Sequence, residues 1–180
     1  MANHVTTRVT IVCNEEAQVV VDHWREAIEG MSNDDYKMVW KLFGLDAADA
    51  THEWMLENIG SKWCYADDIY DNNFTLVSAW DWPDKFVAWM AEQVIGLDRD
   101  ASITVTYEDE GANFVGYHVY TNLGDRGDST DYDTLVEMVK KVVPEINDLD
   151  EDSDEYFDMV QDNIWDAVYA WQDKNIEEGN

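Results

Sequence analysis

The densest concentration of reactive side chains lies between Glu145 and Glu178. Thirteen acids fall there against one base, Lys174. Carboxylates at this density can ligate a hard cation, exchange protons, or present a row of fixed negative charge. A calcium loop needs acids at positions 1, 3 and 5, glycine at 6 and a bidentate glutamate at 12. Counting from Asp148 puts Ser153 at the glycine position and Met159 at the last; counting from Asp150 puts Glu155 and Gln161 there. Neither register works, so no metal site is expected. Acid–base pairs cannot be singled out, because any two of forty acids lie close by chance. The row is the distinctive feature: Asp154, Asp158, Asp162 and Asp166 recur every fourth residue, which places them on one helix face.

Other chemistries find little support. His4, His23, His52 and His118 form no zinc-type spacing. There is no nucleophile elbow, no phosphate-cradling glycine loop and no dinucleotide fingerprint. The reading is therefore a non-enzyme without cofactor. Cys13 and Cys64 make neither a disulfide framework nor a Cys-x-x-Cys pair, and read as small buried hydrophobes. Arg126-Gly127-Asp128 matches an adhesion tripeptide, but in this chain it reads as a chance match with a turn preference.

The net charge of −29 arises from forty acids against eleven Lys and Arg. Such a chain is repelled by phosphate backbones and anionic lipid, and it attracts basic surfaces. Direct nucleic-acid binding is disfavoured, since that needs clustered cations. No membrane span or signal-type apolar segment is legible, and a cytoplasmic location is the expectation. Nine tryptophans and a hydrophobic fraction of 46% are enough for a folded core despite the charge repulsion.

The elements that must position the acids follow from periodicity. Residues 4–13 alternate as a half-buried strand. Asn14 offers an N-cap, and Ala17, Val20, Val21, Trp24 and Ile28 form a helical stripe ending near Gly30. Residues 36–44 read as a second strand, 47–60 as a short helix, and 61–73 as a connection with room for a short strand. Residues 74–80 read as a strand, 84–95 as a helix after Pro83, and 101–107 with 113–120 as a hairpin turning at 108–112. A polar loop is expected at 122–131, then helices over about 131–143 and 154–174. In the last, Phe157, Val160, Ile164, Val168 and Trp171 form the apolar stripe opposite the acids. Mixed strands and helices followed by a helical pair indicate an α+β fold, with a core over 1–122 and an acidic helical extension over 123–180.

Part of the core resembles a known family. "WMLENIGSKWCY", "FTLVSAWDWPDKFVAWM" and "VTYEDEGANFVGYHVY" are similar to the YubB-like, Api-type proteins of phages and plasmids. The likeness covers roughly the first two-thirds of the chain and rests on Asn58, Gly60, Lys62, Trp63, Trp80, Pro83, Glu110, Gly111, Phe114 and Gly116. It implies a ferredoxin-like antiparallel sheet with helices on one face and a mobile-element origin. It implies no activity. The acidic helical tail departs from the family pattern and so carries most of the weight for function.

Like charges at i,i+4 cost a helix roughly 0.2–0.5 kcal/mol per pair, a cost that folding does not require. Four residues rise about 6 Å along a helix, near the spacing of successive phosphates along one nucleic-acid strand. The expectation is a DNA mimic of phage, anti-restriction or anti-defence type, inhibiting a basic host protein that binds nucleic acid. The expected contact residues are Asp148, Asp150, Glu151, Asp152, Asp154, Glu155, Asp158, Asp162, Asp166 and Asp173, joined by Glu108, Asp109 and Glu110 of the hairpin turn. Tyr156 and Tyr169 are candidate aromatic anchors. Further acids at Asp67, Asp68 and Asp71, and at Asp125, Asp128, Asp131 and Asp133, would lengthen the negative surface if they align with the tail. The alternatives are a solvated or halophilic acidic surface on a small-molecule-binding regulatory domain, with Trp63, Trp80, Trp82 and Trp89 lining a pocket. Oligomeric state is left open.

Overall fold

The computed structural model describes residues 3–31 and 37–178. Six strands form one antiparallel sheet: β1 His4–Val12, β2 Cys64–Tyr70, β3 Asn73–Ala79, β4 Ser102–Asp109, β5 Phe114–Thr121 and β6 Gly124–Asp131. The helices are α1 Glu15–Glu29, α2 His52–Asn58, α3 Asp84–Leu97, α4 Tyr132–Val142 and α5 Asp154–Glu177. The strand order is β2-β3-β1-β4-β5-β6. Its first four strands, with α1 and α3, follow the βαββαβ connection of a ferredoxin-like core. β5 and β6 extend the sheet beyond it.

Local chemistry sets the boundaries. The Asn14 side chain accepts from the amides of Glu16 and Ala17 at 3.0 Å, opening α1, and Gly30 closes it. Ala17, Val21, Trp24 and Ile28 then bury one face of α1, as the 3.6-residue period requires. In β1 the odd positions Val5, Val9 and Ile11 turn inward beneath α1 and α3, with Thr7 among them.

Alternation splits the core in two. Ile103, Val105 and Tyr107 of β4 lie opposite Tyr120, His118 and Gly116 of β5, all on the face that carries α1 and α3. The residues of β5 between these, starting with Val115, turn to the other face. There a second core forms with Leu135 and Val139 of α4, Ile146, and Val160, Ile164 and Val168 of α5. The sheet is thus covered on opposite faces at its two ends.

Three expectations are corrected. Residues 36–44 do not form a strand: Val39–Phe43 make a 3₁₀ turn closed by Gly44 at φ +68°, and only Met38 bridges to Tyr65 (residue 36 lies outside the described residues). The helix expected over 47–60 is shorter, because Thr51 caps it and its side chain accepts from the Trp54 amide. The loop expected at 122–131 is strand β6, paired with β5 from Phe114↔Asp131 to Thr121↔Gly124. Segment 123–180 therefore begins with a strand of the shared sheet, not with helices. Arg126-Gly127-Asp128 sits inside that strand instead of at a turn.

Candidate acidic interaction surface

Helix α5 is a rigid mount for the acid row. Ser153 caps its start, the hydroxyl accepting from the Tyr156 amide at 3.1 Å, and Asp154 and Glu155 occupy the first turn, where the helix dipole favours negative charge. Val160, Ile164, Ala167 and Val168 are buried against α4 and the sheet. Two polar ties fix the far end. The Gln172 amide nitrogen, buried, donates to the carbonyls of Tyr107 at 3.3 Å and Gly116 at 3.1 Å, bridging β4 and β5. Arg126 of β6 donates to the last carbonyls of α5, Asn175 at 3.1 Å and Ile176 at 2.8 Å, and its guanidinium lies 5.7 Å from the Tyr117 ring centre. A cation at that end also opposes the negative pole of the helix.

Asp154, Asp158, Asp162, Asp166 and Asp173 are all exposed, and none of them is ion-paired among the described residues. Asp148, Asp150 and Asp152 are exposed in the segment before α5. Asp150 also builds the turn: its carbonyl accepts from the Ser153 hydroxyl at 2.6 Å. Glu155 is exposed beside the row. Glu151 is exposed but engaged, 2.8 Å from the Lys140 ammonium, which Glu137 also approaches at 3.2 Å. These two carboxylates push the Lys140 ammonium to a higher pKa than an ordinary lysine.

The hairpin acids are different, and here the expectation is corrected. Asp109 is wholly buried; its carboxylate accepts from the Asn3 side chain at 2.7 Å and from the backbone and side chain of Asn113 at 2.5 and 2.6 Å. It organises the β4–β5 turn. Glu108 is 4% exposed and paired with Arg8 of β1. Burial raises its pKa, and the Arg8 hydrogen bond and charge partly offset this. Glu110 alone of the three is exposed, with His4 at 3.9 Å. Residues 108–109 end a strand, so the local Glu-Asp-Glu-Gly pattern misplaces them in a solvent-facing turn.

The other acids divide. Asp67, Asp68 and Asp71 are exposed on or just after β2, the sheet edge opposite β6. Five strand spacings, roughly 24 Å, separate those two edges, so these acids do not extend the tail row. Asp128, Asp131 and Asp133 lie on β6 and at the start of α4, the neighbouring elements of α5. Asp131 caps α4, accepting from the Thr134 amide at 2.9 Å, and the side chain and backbone of Thr134 hold its carboxyl below the usual range.

Phe157, expected on the docking stripe, is 59% exposed. Two turns on, Trp165 and Tyr169, whose ring centres lie 6.4 Å apart, fall on the same helix face, with Gln161 between. Tyr169 is exposed, whereas Tyr156 is half-buried with the Lys140 ammonium 5.6 Å from its ring centre. Gln172 and Arg126 have no apolar or acidic signature and were not legible as anchors.

Of the four tryptophans expected around one pocket, Trp80 and Trp82 line a small one of ≈ 270 Å³ together, and Trp63 and Trp89 lie elsewhere. Trp89 packs with Trp24, Phe43 and Phe86; Trp63 stacks on Tyr65; Trp80 is exposed; Trp82 stacks on Tyr107 at 4.7 Å and 3°. Among the described residues no group of three or more His, Cys, Asp or Glu side chains is set to hold a metal ion, and no helix is long and apolar enough to cross a membrane. Comparison with protein-family models, curated proteins and solved structures found no match.

Proposed function

We propose that this protein is a DNA mimic that occupies the basic nucleic-acid-binding groove of a host protein and blocks it, in the manner of phage anti-restriction and anti-defence inhibitors. One observation carries the reading. The acid row from Asp154 to Asp166 is exposed and, among the described residues, free of ion pairs, yet stands on a helix tied to the sheet at its far end by Gln172 and Arg126. Its span is roughly 18 Å at 1.5 Å per residue. A solvated surface does not need that rigidity, whereas a decoy gains from it: fixed carboxylates meet Arg and Lys without the entropy cost of ordering a loose tail. Association begins with long-range steering by the −29 charge. Carboxylate–guanidinium pairs then replace phosphate contacts, and Phe157 and Tyr169 supply exposed aromatic contact beside the row.

The test is capture from host lysate on the immobilised protein, with elution by competing duplex DNA. The wild type retains nucleic-acid-binding proteins that DNA displaces. The triple reversal Asp158→Lys, Asp162→Lys, Asp166→Lys loses them. Retention of the same proteins by the reversed variant refutes the proposal.

A further inference from the structure

On the α3 side of β5 and β6, opposite the acid-bearing helices, lies an open groove of ≈ 980 Å³. Its floor is aromatic: Trp82, His118 and Tyr120, with ring centres 5.7 Å (Trp82–His118) and 4.4 Å (His118–Tyr120) apart. The rings are tilted to one another by 33° and 32°, and two glycines leave them room. A Cβ on Gly127 would come within 2.4 Å of the His118 ring, and one on Gly116 within 2.1 Å of the Tyr107 ring on which Trp82 stacks. One wall is α3, presenting Ala88, Ala91, Ile95 and Gly96. Along the 14 residues of that helix the groove runs about 20 Å, room for roughly six residues of extended chain.

The charges in the groove select its occupant. Asp125 holds the His118 ring nitrogen at 2.8 Å, and Asp84 lines the same end as Trp82. Lys85 turns its ammonium to the Leu56 carbonyl at 2.8 Å. Arg99 follows the C-terminus of α3, at the far mouth. Glu92 also lines the groove, so three acids, Asp84, Glu92 and Asp125, face two bases, Lys85 and Arg99, and the potential over the floor is negative. Aromatic faces within a negative field attract cations, and a planar guanidinium stacks on them better than an ammonium does.

We propose that this groove binds an arginine side chain on an extended segment, the guanidinium packing against the Trp82, His118 and Tyr120 cluster with Asp125 as its counter-charge. The inference rests on the reading that the partner is basic, and it adds a second, arginine-selective contact on the face away from α5. The probes are the acetylated, amidated pentapeptides Gly-Ser-Arg-Gly-Ser and Gly-Ser-Lys-Gly-Ser. They are titrated into the full chain with salt raised to screen the acidic surface, following the Trp82 indole N–H by NMR. The expected result is saturable shifts with the arginine peptide and at least fivefold weaker binding of the lysine peptide. Asp125→Asn, which removes the counter-charge at an exposed position of the groove, should weaken the arginine peptide at least fivefold. Asp158→Asn, Asp162→Asn, Asp166→Asn together should leave peptide binding unchanged. Absence of saturable shifts, equal affinity for the two peptides, wild-type binding by Asp125→Asn, or loss of binding in the tail variant would each overturn the proposal. Lysate capture that persists when the peptide fails separates this failure from failure of the mimic reading.

Discussion

Gln172 is the residue whose replacement reports most sharply on how the acid row is held. It is 2% exposed and its amide reaches two carbonyls on adjacent strands. Gln172→Leu keeps most of the volume and removes both hydrogen bonds, leaving Tyr107 and Gly116 carbonyl oxygens facing an apolar side chain. At ~0.5–1.5 kcal/mol per neutral bond, the loss is about 1–3 kcal/mol. For a chain of this size each kcal/mol moves the Tm by roughly 2–4 °C, so a drop of about 2–12 °C is expected in thermal melts followed by circular dichroism. Gln172→Glu should be worse at neutral pH. Its carboxylate would face two carbonyl oxygens in a buried site, so its folded-state pKa lies above its unfolded one. Such a group favours the folded state below the unfolded pKa and loses that advantage as pH rises through the folded pKa. The Gln172→Glu variant therefore recovers stability on acidification relative to Gln172→Leu. Hydrogen exchange should show faster opening of the C-terminal half of α5 in both variants. A Gln172→Leu variant with unchanged Tm and unchanged exchange would refute the claim that this amide ties α5 to the sheet.

Other perturbations probe the remaining supports. Arg126→Gln removes a charged donor from the Asn175 and Ile176 carbonyls; hydrogen exchange in the last turn of α5 should rise while α4 is unaffected. Gly116→Ala places a methyl 2.1 Å from the Tyr107 ring, so the Tyr107–Trp82 stack must separate, and near-ultraviolet circular dichroism should lose aromatic signal along with stability. Burial raises the Glu108 carboxyl's pKa in the folded protein, so its contribution to stability falls as pH climbs from the ordinary glutamate value through the raised one. The Tm difference between wild type and Glu108→Gln should change across that window and level off above it; a difference constant with pH would contradict the assignment.

Much of this architecture is legible from periodicity. β1 and β4 announce themselves by alternation, β3 by β-branched and aromatic content, and α1, α3 and α5 by apolar stripes, because each element buries one face. β6 does not. Gly124, Asp125, Arg126, Gly127, Asp128 and Ser129 carry no apolar pattern; the segment is a strand because β5 offers an unpaired edge, and tertiary pairing overrides propensity. The 36–44 segment fails the other way. Met38, Val39, Trp40, Leu42 and Phe43 are apolar enough for a strand, but a short apolar run does not distinguish strand from helical turn. At the candidate site, the four-residue recurrence was sufficient to place Asp154 to Asp166 on an exposed face. It was not sufficient for Glu108 and Asp109, whose burial depends on Arg8, Asn3 and Asn113 from elsewhere in the fold. Phe157 shows the limit of the stripe argument, since the neighbours that bury Val160 and Ile164 do not cover it.

The central claim is that the acid row is kept for binding at a cost to stability. The variant Asp158→Asn, Asp162→Asn, Asp166→Asn removes three like-charge i,i+4 contacts, so the helix should gain roughly 0.6–1.5 kcal/mol. The direct measurement pairs that variant's Tm with its capture of DNA-displaceable proteins from host lysate. The account predicts a higher Tm together with at least tenfold weaker capture. A variant that is more stable and captures the same proteins as well as the wild type would contradict it.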